Sequence, residues 1–204
     1  MSGPVMTLVS QAMGLWLRSV CQSLEELELE LNGSALALMA GRLEGAELRA
    51  RGVVYQQLCL QEVQLSSDPI ALNMAALLKG RPLQLRQRFR IRGSVGFTES
   101  GLNRCLATEL LRPFSNQLAN HFLGDAELAS YGLGSNSLEL SGTSGGRRSV
   151  SLSAEAGELL VRGESSQIAV PMDPAISIER VSITPELLLL EGQSLVSAAG
   201  EGQG

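Results

Sequence analysis

Residues 83–92 read Leu-Gln-Leu-Arg-Gln-Arg-Phe-Arg-Ile-Arg, an alternation that is typical of a β-strand with two unlike faces. Neighbouring side chains on a strand point to opposite faces, so one face carries Arg86, Arg88, Arg90 and Arg92. The other face carries Leu83, Leu85, Phe89 and Ile91, with Gln87 as its polar member. Six of the 16 basic residues lie at positions 79–92, although the net charge is −5. The stretch predicts a strand that suits an amphiphile with an anionic end, or one that simply faces water.

The composition indicates one domain with an aliphatic core. A chain of 204 residues is long enough to bury roughly 70% of its unfolded surface. Apolar residues make up 44% of the chain and aromatic residues only 3%, so Leu, Val, Ile and Ala dominate the core. We expect a single domain over residues 1–196 and a disordered tail over 197–204, which shows no pattern. The acidic balance argues against a nucleic-acid partner.

The reactive side chains do not suggest an enzyme. The single histidine, His121, is predicted in the last turn of a helix, where it complements the helix dipole. No nucleophile elbow, P-loop or dinucleotide fingerprint occurs in the sequence. Cys21, Cys59 and Cys105 form no Cys-x-x-Cys pair, so we expect free, buried thiols. We predict no catalytic residue, no metal and no cofactor.

The beginning of the chain is apolar but does not have the features of a membrane segment. Residues 1–17 carry no charge, yet they include Ser10, Gln11 and Gly14 and fall short of the ~20 apolar residues of a membrane span. No Lys or Arg precedes this segment and no Ala-x-Ala site follows it, as a secretory signal requires. We expect a cytoplasmic or peripheral membrane protein without a transmembrane helix.

Two long amphipathic helical segments are predicted. The first covers residues 4–24, where Pro4 suits the first turn and apolar residues recur every three or four positions. The second covers residues 99–123, with Thr98 as its cap, a bend at Pro113 and Gly124 at its end. A single helical turn is expected over residues 74–78.

Most of the remaining chain alternates with the period of two that predicts strands. Glu26, Glu28 and Glu30 alternate with leucines, and Asn32-Gly33 is typical of a hairpin turn. The predicted strands are 25–31, 34–43, 46–54, 57–65, 83–97, 126–133, 137–142, 149–154, 158–163, 167–170, 176–183 and 187–196. Because strands and helices do not alternate as β-α-β units, the fold class is α+β with a mainly antiparallel sheet.

The arginine face has two interpretations. If strands 25–31 and 84–92 were neighbours, the arginines would face Glu26, Glu28 and Glu30, and each pair would contribute ~0.2–1 kcal/mol. Alternatively, the arginines bind phosphate or an anionic membrane surface, for which bidentate Arg suits better than Lys. The alternation alone does not decide between them.

The apolar arcs of both helical segments are wider than one core contact needs. Ordinary packing on the sheet would account for them. Met6, Met13, Met74 and Leu77 could instead line a groove, because Met adapts to a flexible ligand. Residues 4–17 could also lie in a membrane interface, although Arg18 is the only basic residue on that polar face.

Five short sequence motifs resemble those of a known family. They are residues 41–46 Gly-Arg-Leu-Glu-Gly-Ala, 51–55 Arg-Gly-Val-Val-Tyr, 69–73 Pro-Ile-Ala-Leu-Asn, 77–82 Leu-Leu-Lys-Gly-Arg-Pro and 97–103 Phe-Thr-Glu-Ser-Gly-Leu-Asn. Over about residues 3–196 the chain resembles the LmeA-like phospholipid-binding family, and its cyanobacterial branch more than its actinobacterial one. The resemblance implies a non-catalytic lipid-binding protein of the tubular lipid-binding type, in which long helices lie within a strongly curved sheet that leaves an apolar channel.

A site follows from this resemblance together with the spacing of the apolar residues. The acyl chain would lie between the two helical segments and the inner sheet face, lined by Leu8, Ala12, Trp16, Met74, Leu77, Leu106, Leu110, Phe114 and Leu118. Arg86, Arg88, Arg90 and Arg92 would contact an anionic headgroup. The expected partner is a phospholipid or another amphiphile, with peripheral membrane contact. The alternative is a structural or protein-interaction module with a solid core, which would lack an apolar cavity of several hundred Å³.

Overall fold

The structure, a computed structural model, describes residues 4–77, 79–81 and 84–197. Within these residues the helices are α1 (Pro4–Val20), α2 (Ala35–Met39), α3 (Met74–Leu77), α4 (Glu99–Leu106) and α5 (Arg112–Leu123). The strands are β1 (Glu26–Asn32), β2 (Arg42–Leu43), β3 (Gly45–Tyr55), β4 (Leu58–Ser67), β5 (Ile70–Ala71), β6 (Phe89–Phe97), β7 (Leu128–Leu133), β8 (Leu138–Gly142), β9 (Arg147–Glu155), β10 (Glu158–Arg162), β11 (Gln167–Ala169), β12 (Ile176–Ile183) and β13 (Leu188–Val196).

The fold is α+β, and its strands pair antiparallel in three sheets. Sheet A has the strand order β1-β3-β4-β6-β13-β12, and sheet B has the order β11-β10-β9-β8-β7. Strands β2 and β5 form a short ribbon. The predicted fold class is therefore confirmed at the level of an α+β protein with mainly antiparallel sheets.

Sheet A has a charged face and an apolar face. On the charged face Glu26 lies opposite Arg51 and Glu28 lies opposite Arg49. On the apolar face one row of paired residues crosses five strands, through Leu27, Ala50, Val63, Val95 and Leu190. The alternation in the sequence thus separates the side chains that face water from those that pack.

Two closed cores lie at opposite ends of the apolar face. The C-terminal core is enclosed by sheet B, α5 and the end of sheet A near Phe97 and Leu188. The N-terminal core joins α1, α2, β2, β5 and α3 to the end of sheet A near Ala46. We call α1, α2, the β2–β5 ribbon, α3 and residues 84–88 the N-terminal lobe. Between the two cores lies a smaller cluster whose buried members are Ala50, Val53 and Val63.

The predicted strand 34–43 is correct only at its end, where Arg42–Leu43 forms β2. Its middle forms α2, because the Ser34 side-chain oxygen accepts a hydrogen bond from the Ala37 N–H at 3.1 Å and the Ala, Leu and Met residues that follow favour a helix. Asn32-Gly33 is therefore not a tight hairpin turn. The partner of β1 is β3, whose Gly45 lies opposite Asn32 after α2 and β2.

The predicted helix 99–123 is two helices, α4 and α5, separated by residues 107–111. Proline is accepted in the first turn of a helix but not in its middle, so Pro113 lies at the start of α5 instead of bending a longer helix. Both predicted ends are confirmed. The Thr98 Oγ1 accepts the Gly101 N–H at 3.2 Å, and Gly124 closes α5 with a φ of 67°.

The arginine-rich strand begins at Phe89, several residues later than predicted. Leu85 instead pairs with Leu72, and the Arg86 N–H donates to the Ala71 carbonyl at 2.8 Å, so this part of the chain lies beside the β2–β5 ribbon. The predicted start at Leu83 lies outside the described residues. The C-terminal end of the strand, at Phe97, is as predicted.

The other elements follow the sequence pattern closely. The first helix ends at Val20, before the predicted residue 24, because the Gln22 N–H bonds to the Val54 carbonyl at 2.7 Å and pulls the chain onto β3. Strands β7 to β13 correspond in order to the seven predicted there, and β12 has the predicted bounds. Leu78 and residues 198–204, which belong to the predicted helical turn and tail, lie outside the described residues.

Candidate functional site

The four arginines of the predicted cationic face belong to two different places. Arg90 and Arg92 lie on β6, on the charged face of sheet A. Arg92 forms an ion pair with Asp68, with Nη1 and Oδ1 2.7 Å apart. Arg86 and Arg88 precede β6 and belong to the N-terminal lobe. The predicted four-residue ladder is therefore not formed.

The proposed pairing of this ladder with the glutamates of β1 is wrong. Strands β3 and β4 lie between β1 and β6, so the two sets of side chains are not neighbours. Glu26 instead approaches Arg51, with Oε2 and Nη1 3.8 Å apart and both side chains about two-thirds exposed, at 68% and 65%. Such an exposed pair contributes about 0–1 kcal/mol.

Two grooves on sheet A are lined mainly by polar side chains. The larger, of about 410 Å³, lies between Arg49, Gln64, Arg92 and Glu191. The smaller, of about 170 Å³, lies between Glu28, Arg51 and Glu62. Their charges are mixed, so neither groove has the apolar walls that an acyl chain requires.

The predicted apolar lining residues fall into two groups at opposite ends of sheet A. Met74 is buried in the N-terminal core, and Phe114 and Leu118 are buried in the C-terminal core, which Leu106 borders. Leu8 and Trp16 on α1 are exposed, as is Leu110, which follows α4. Ala12 is half-buried on α1, and the side chain of Leu77 lies outside the described set. The structure does not bring the two groups together.

A different set of apolar side chains is grouped in the middle of sheet A. Around the buried Ala50, Val53 and Val63 lie half-buried residues, which we call the central strip: Cys21, Leu24, Leu27, Leu48, Leu60, Leu65 and Val95. Burial raises the pKa of the Cys21 thiol, which agrees with apolar surroundings. The strip was not predicted from the sequence, although the alternation places Leu48 with Ala50 on one face of β3 and Val63 with Leu65 on one face of β4.

The central strip lies between the two closed cores. On one side α1 packs on β1, and on the other α4 packs on β4 and β7. Cys105 of α4 is buried and its Sγ accepts the Cys59 N–H at 3.3 Å, which fixes α4 against β4. Burial raises the pKa of the Cys105 thiol. The three cysteines are free, as expected, but Cys21 and Cys59 are only half-buried.

The motif at residues 97–103 connects α4 to sheet B. The Asn103 Nδ2 donates to the Tyr131 carbonyl at 2.9 Å, and its Oδ1 accepts the Tyr131 N–H at 2.9 Å. The Glu99 carboxylate accepts the Leu133 N–H at 3.1 Å. At Gly101 a Cβ would approach the Cys59 carbonyl oxygen to 2.8 Å, so a side chain there would push α4 away from β4. These residues hold the fold together.

The motif at residues 69–73 likewise connects elements of the fold, in the N-terminal lobe. The Asn73 Oδ1 accepts the Ala76 N–H at 3.2 Å at the start of α3, and the Asn73 N–H donates to the Gln84 carbonyl at 2.9 Å. Gly41 has a φ of +79°, and a Cβ there would collide with the Leu72 carbonyl. These two motifs, together with Gly41 of a third, thus supply scaffold residues around the strip and the lobe.

The fold and the site define an α+β protein whose main sheet presents half-buried apolar side chains between two closed cores. The chain matches the family described as LmeA-like phospholipid-binding over residues 3–201, and it belongs to that family. No curated protein and no solved structure matches the chain. Among the described residues no helix combines the length and apolarity needed to cross a membrane.

Proposed function

We propose that the protein binds a phospholipid or a similar amphiphile without catalysing a reaction, and that the acyl chains lie on the central strip. The central strip is the observation that carries this proposal. Its leucines and Val95 are neither exposed like surface residues nor closed off like the two cores. Membership of a lipid-binding family supports a lipid as the molecule that covers them.

The energetics of burial support an acyl chain on this surface. Removal of one CH₂ group from water contributes about 0.8 kcal/mol, so a chain that covers several strip residues is retained strongly. The strip is flanked by α1 and α4, which would form the walls of an open groove. The proposal includes the strong sheet curvature expected of a tubular lipid-binding protein, which would deepen this groove.

The headgroup is assigned by the faces of sheet A. Arg90 and Arg92 point to the charged face, whereas the strip lies on the apolar face. Since β6 lies inside the sheet, between β4 and β13, one lipid cannot contact both sets of side chains. Arg86 and Arg88, in the N-terminal lobe, are therefore the proposed contacts for an anionic headgroup.

The test is native mass spectrometry of the purified protein, followed by identification of whatever is released on denaturation. We expect a bound phospholipid or related amphiphile. Leu48→Gln combined with Leu65→Gln should remove it, because two polar amides would enter the acyl site. Leu110→Gln, at a residue 51% exposed outside the strip, is the matched control and should keep the lipid.

A second variant separates loss of binding from loss of folding. Leu65→Trp fills the strip without making it polar, so it should exclude the lipid while the urea midpoint stays close to that of the wild type. A lipid-free wild type that takes up no lipid from neutral or anionic vesicles would overturn the proposal. That result would favour the protein-interaction module.

A further inference from the structure

The acidic and basic residues are distributed unevenly along this chain. Residues 4–20, 34–43 and 69–88 carry six of the 16 basic residues and none of the 21 acidic ones. The six are Arg18, Arg42, Lys79, Arg81, Arg86 and Arg88. All carboxylate side chains therefore lie elsewhere, although the protein as a whole is acidic. The basic region therefore extends beyond the arginine-rich residues 83–92 and includes two earlier segments of the chain.

The described residues of these segments form the N-terminal lobe or directly adjoin it, as do Lys79 and Arg81, whose N–H groups donate to the Ala76 carbonyl. Val9 of α1, Leu38 of α2 and Leu72 beside β5 are buried in the same core. Arg42 lies opposite Ala71 in the β2–β5 ribbon, and the Arg86 N–H donates to the Ala71 carbonyl at 2.8 Å. Arg42 and Arg86 thus flank the same residue from two sides, so their charges belong to one surface.

The same lobe exposes large apolar side chains. Of the ten large hydrophobic residues that are exposed in the described part of the chain, six lie in it: Leu8, Leu15, Trp16, Val20, Leu36 and Met39. Leu36 is 81% exposed, Leu15 68% and Met39 65%. Leu8, Ala12, Leu15 and Trp16 follow the spacing of one helix face, beside the face that Val9 and Met13 bury.

We propose that the N-terminal lobe docks on the surface of an anionic phospholipid bilayer. Exposed Leu, Met and Trp side chains enter the boundary between headgroups and acyl chains, and the six cations face the lipid phosphates. The absence of carboxylates from the lobe's sequence removes the repulsion that a negatively charged protein otherwise meets at such a surface. The inference extends the proposed function to the membrane that supplies the lipid, and rests on it for the choice of lipid over protein as the partner.

Trp16 is the single tryptophan of the chain and reports directly on docking. Vesicles of phosphatidylcholine with phosphatidylglycerol should shift its emission to shorter wavelength, and brominated acyl chains should quench it. Vesicles of phosphatidylcholine alone should bind more weakly. Raising the salt from ~0.1 M to ~1 M shortens the Debye length from about 10 Å to about 3 Å, and should release much of the bound protein.

Two double variants test the two components of the surface in vesicle co-sedimentation. Arg42→Gln with Arg86→Gln should weaken binding to anionic vesicles about fivefold for each arginine removed. Leu36→Ser with Met39→Ser should weaken it about tenfold or more. The controls lie at the C-terminal end of the fold and should bind like the wild type: Arg147→Gln with Arg148→Gln on β9, and Leu110→Ser between α4 and α5, at a residue 51% exposed.

The outcomes separate this inference from the proposed function. Leu65→Trp should lose the retained lipid but still sediment with vesicles, whereas the Leu36/Met39 variant should show the reverse. Equal binding of the lobe variants and their controls, or no response of Trp16 to anionic vesicles, would overturn the docking surface even if a lipid is retained. Self-association that the Leu36/Met39 variant abolishes, without vesicle binding, would also overturn it and assign the face to a second copy of the chain.

Discussion

The two ends of sheet A are built from the same alternating strands but are covered differently. At the C-terminal end, sheet B and α5 together cover the apolar face of sheet A, and Leu118 and Leu140 are almost completely buried. At the N-terminal end, α1 and α2 cover the sheet but keep a second apolar flank outside, including Leu15 and Leu36. Where a second sheet and a helix cover sheet A, the apolar side chains are buried. Where only α1 and α2 cover it, these helices keep apolar side chains exposed on their outer side, and those are available for a partner. We therefore expect stability to depend mainly on the C-terminal end and membrane contact on the N-terminal lobe.

The largest contrast should appear when a leucine is truncated at each end. Leu140 has no exposed surface, so Leu140→Ala should lower the free energy of unfolding by about 2–5 kcal/mol through lost burial and the cavity it leaves. Leu36 is 81% exposed, so Leu36→Ala should change it by no more than about 0.5 kcal/mol. Urea denaturation followed by circular dichroism measures both. Equal losses would mean that Leu36 is covered in the folded protein, which would contradict the exposed apolar flank.

The contact between α4 and sheet B provides the next test of whether stability depends mainly on the C-terminal end. Strand β7 is the edge strand of sheet B, and Asn103 bonds to both the N–H and the carbonyl of Tyr131 on it. Asn103→Ala should cost about 1–3 kcal/mol, because these backbone groups lose their side-chain partner near a buried residue. The control Asn120→Ala, at an exposed position of α5, should change stability by no more than about 0.5 kcal/mol.

Asn103→Asp refines this test. The carboxylate keeps an acceptor for the Tyr131 N–H but loses the donor to the Tyr131 carbonyl. We expect it to fall between the wild type and Asn103→Ala, and vesicle binding should be the same in all three proteins. If Asn103→Ala proved as stable as the wild type, the motif at residues 97–103 would need a role other than holding α4 on β7.

Much of the fold could be predicted from the sequence because its strands alternate strictly. The bounds of β12, the order of β7 to β13 and both ends of the α4–α5 region follow from local signals such as Thr98 and Gly124. Residues 35–39 were ambiguous, since Leu36 and Leu38 fit a strand while Ala and Met favour a helix. Only the pairing of β1 with the distant β3 leaves this segment outside the sheet.

The candidate site was harder to predict because burial depends on contacts distant in sequence. The wide apolar arc of α1 was visible, but α2 and the N-terminal core determine that Val9 is covered and Leu15 is not. Arg86 and Arg92 share an alternation in the sequence, yet the pairing of Leu85 with Leu72 separates them. The central strip required the strand order of sheet A, which no local pattern supplies.

Acid should affect the two ends unequally, with a smaller effect than either substitution above. Asp125 follows α5 and accepts the Ser144 N–H at 2.6 Å and the Thr143 hydroxyl at 3.0 Å, and the backbone N–H of Ser144 is the main cause that lowers its pKa. A carboxyl whose pKa is lower in the folded protein stabilises it above its unfolded pKa of about 3.9, and this stability is lost as the pH falls through the folded pKa. Wild type should therefore lose its advantage over Asp125→Asn as the pH falls from about 5 to below 4, while the exposed control Glu186→Gln follows the wild type. Urea midpoints across this range measure the difference. A constant gap between wild type and Asp125→Asn would show that the carboxylate's charge contributes nothing at the β8–β9 turn, and that acid lability has its origin in other carboxylates outside the carboxylate-free lobe.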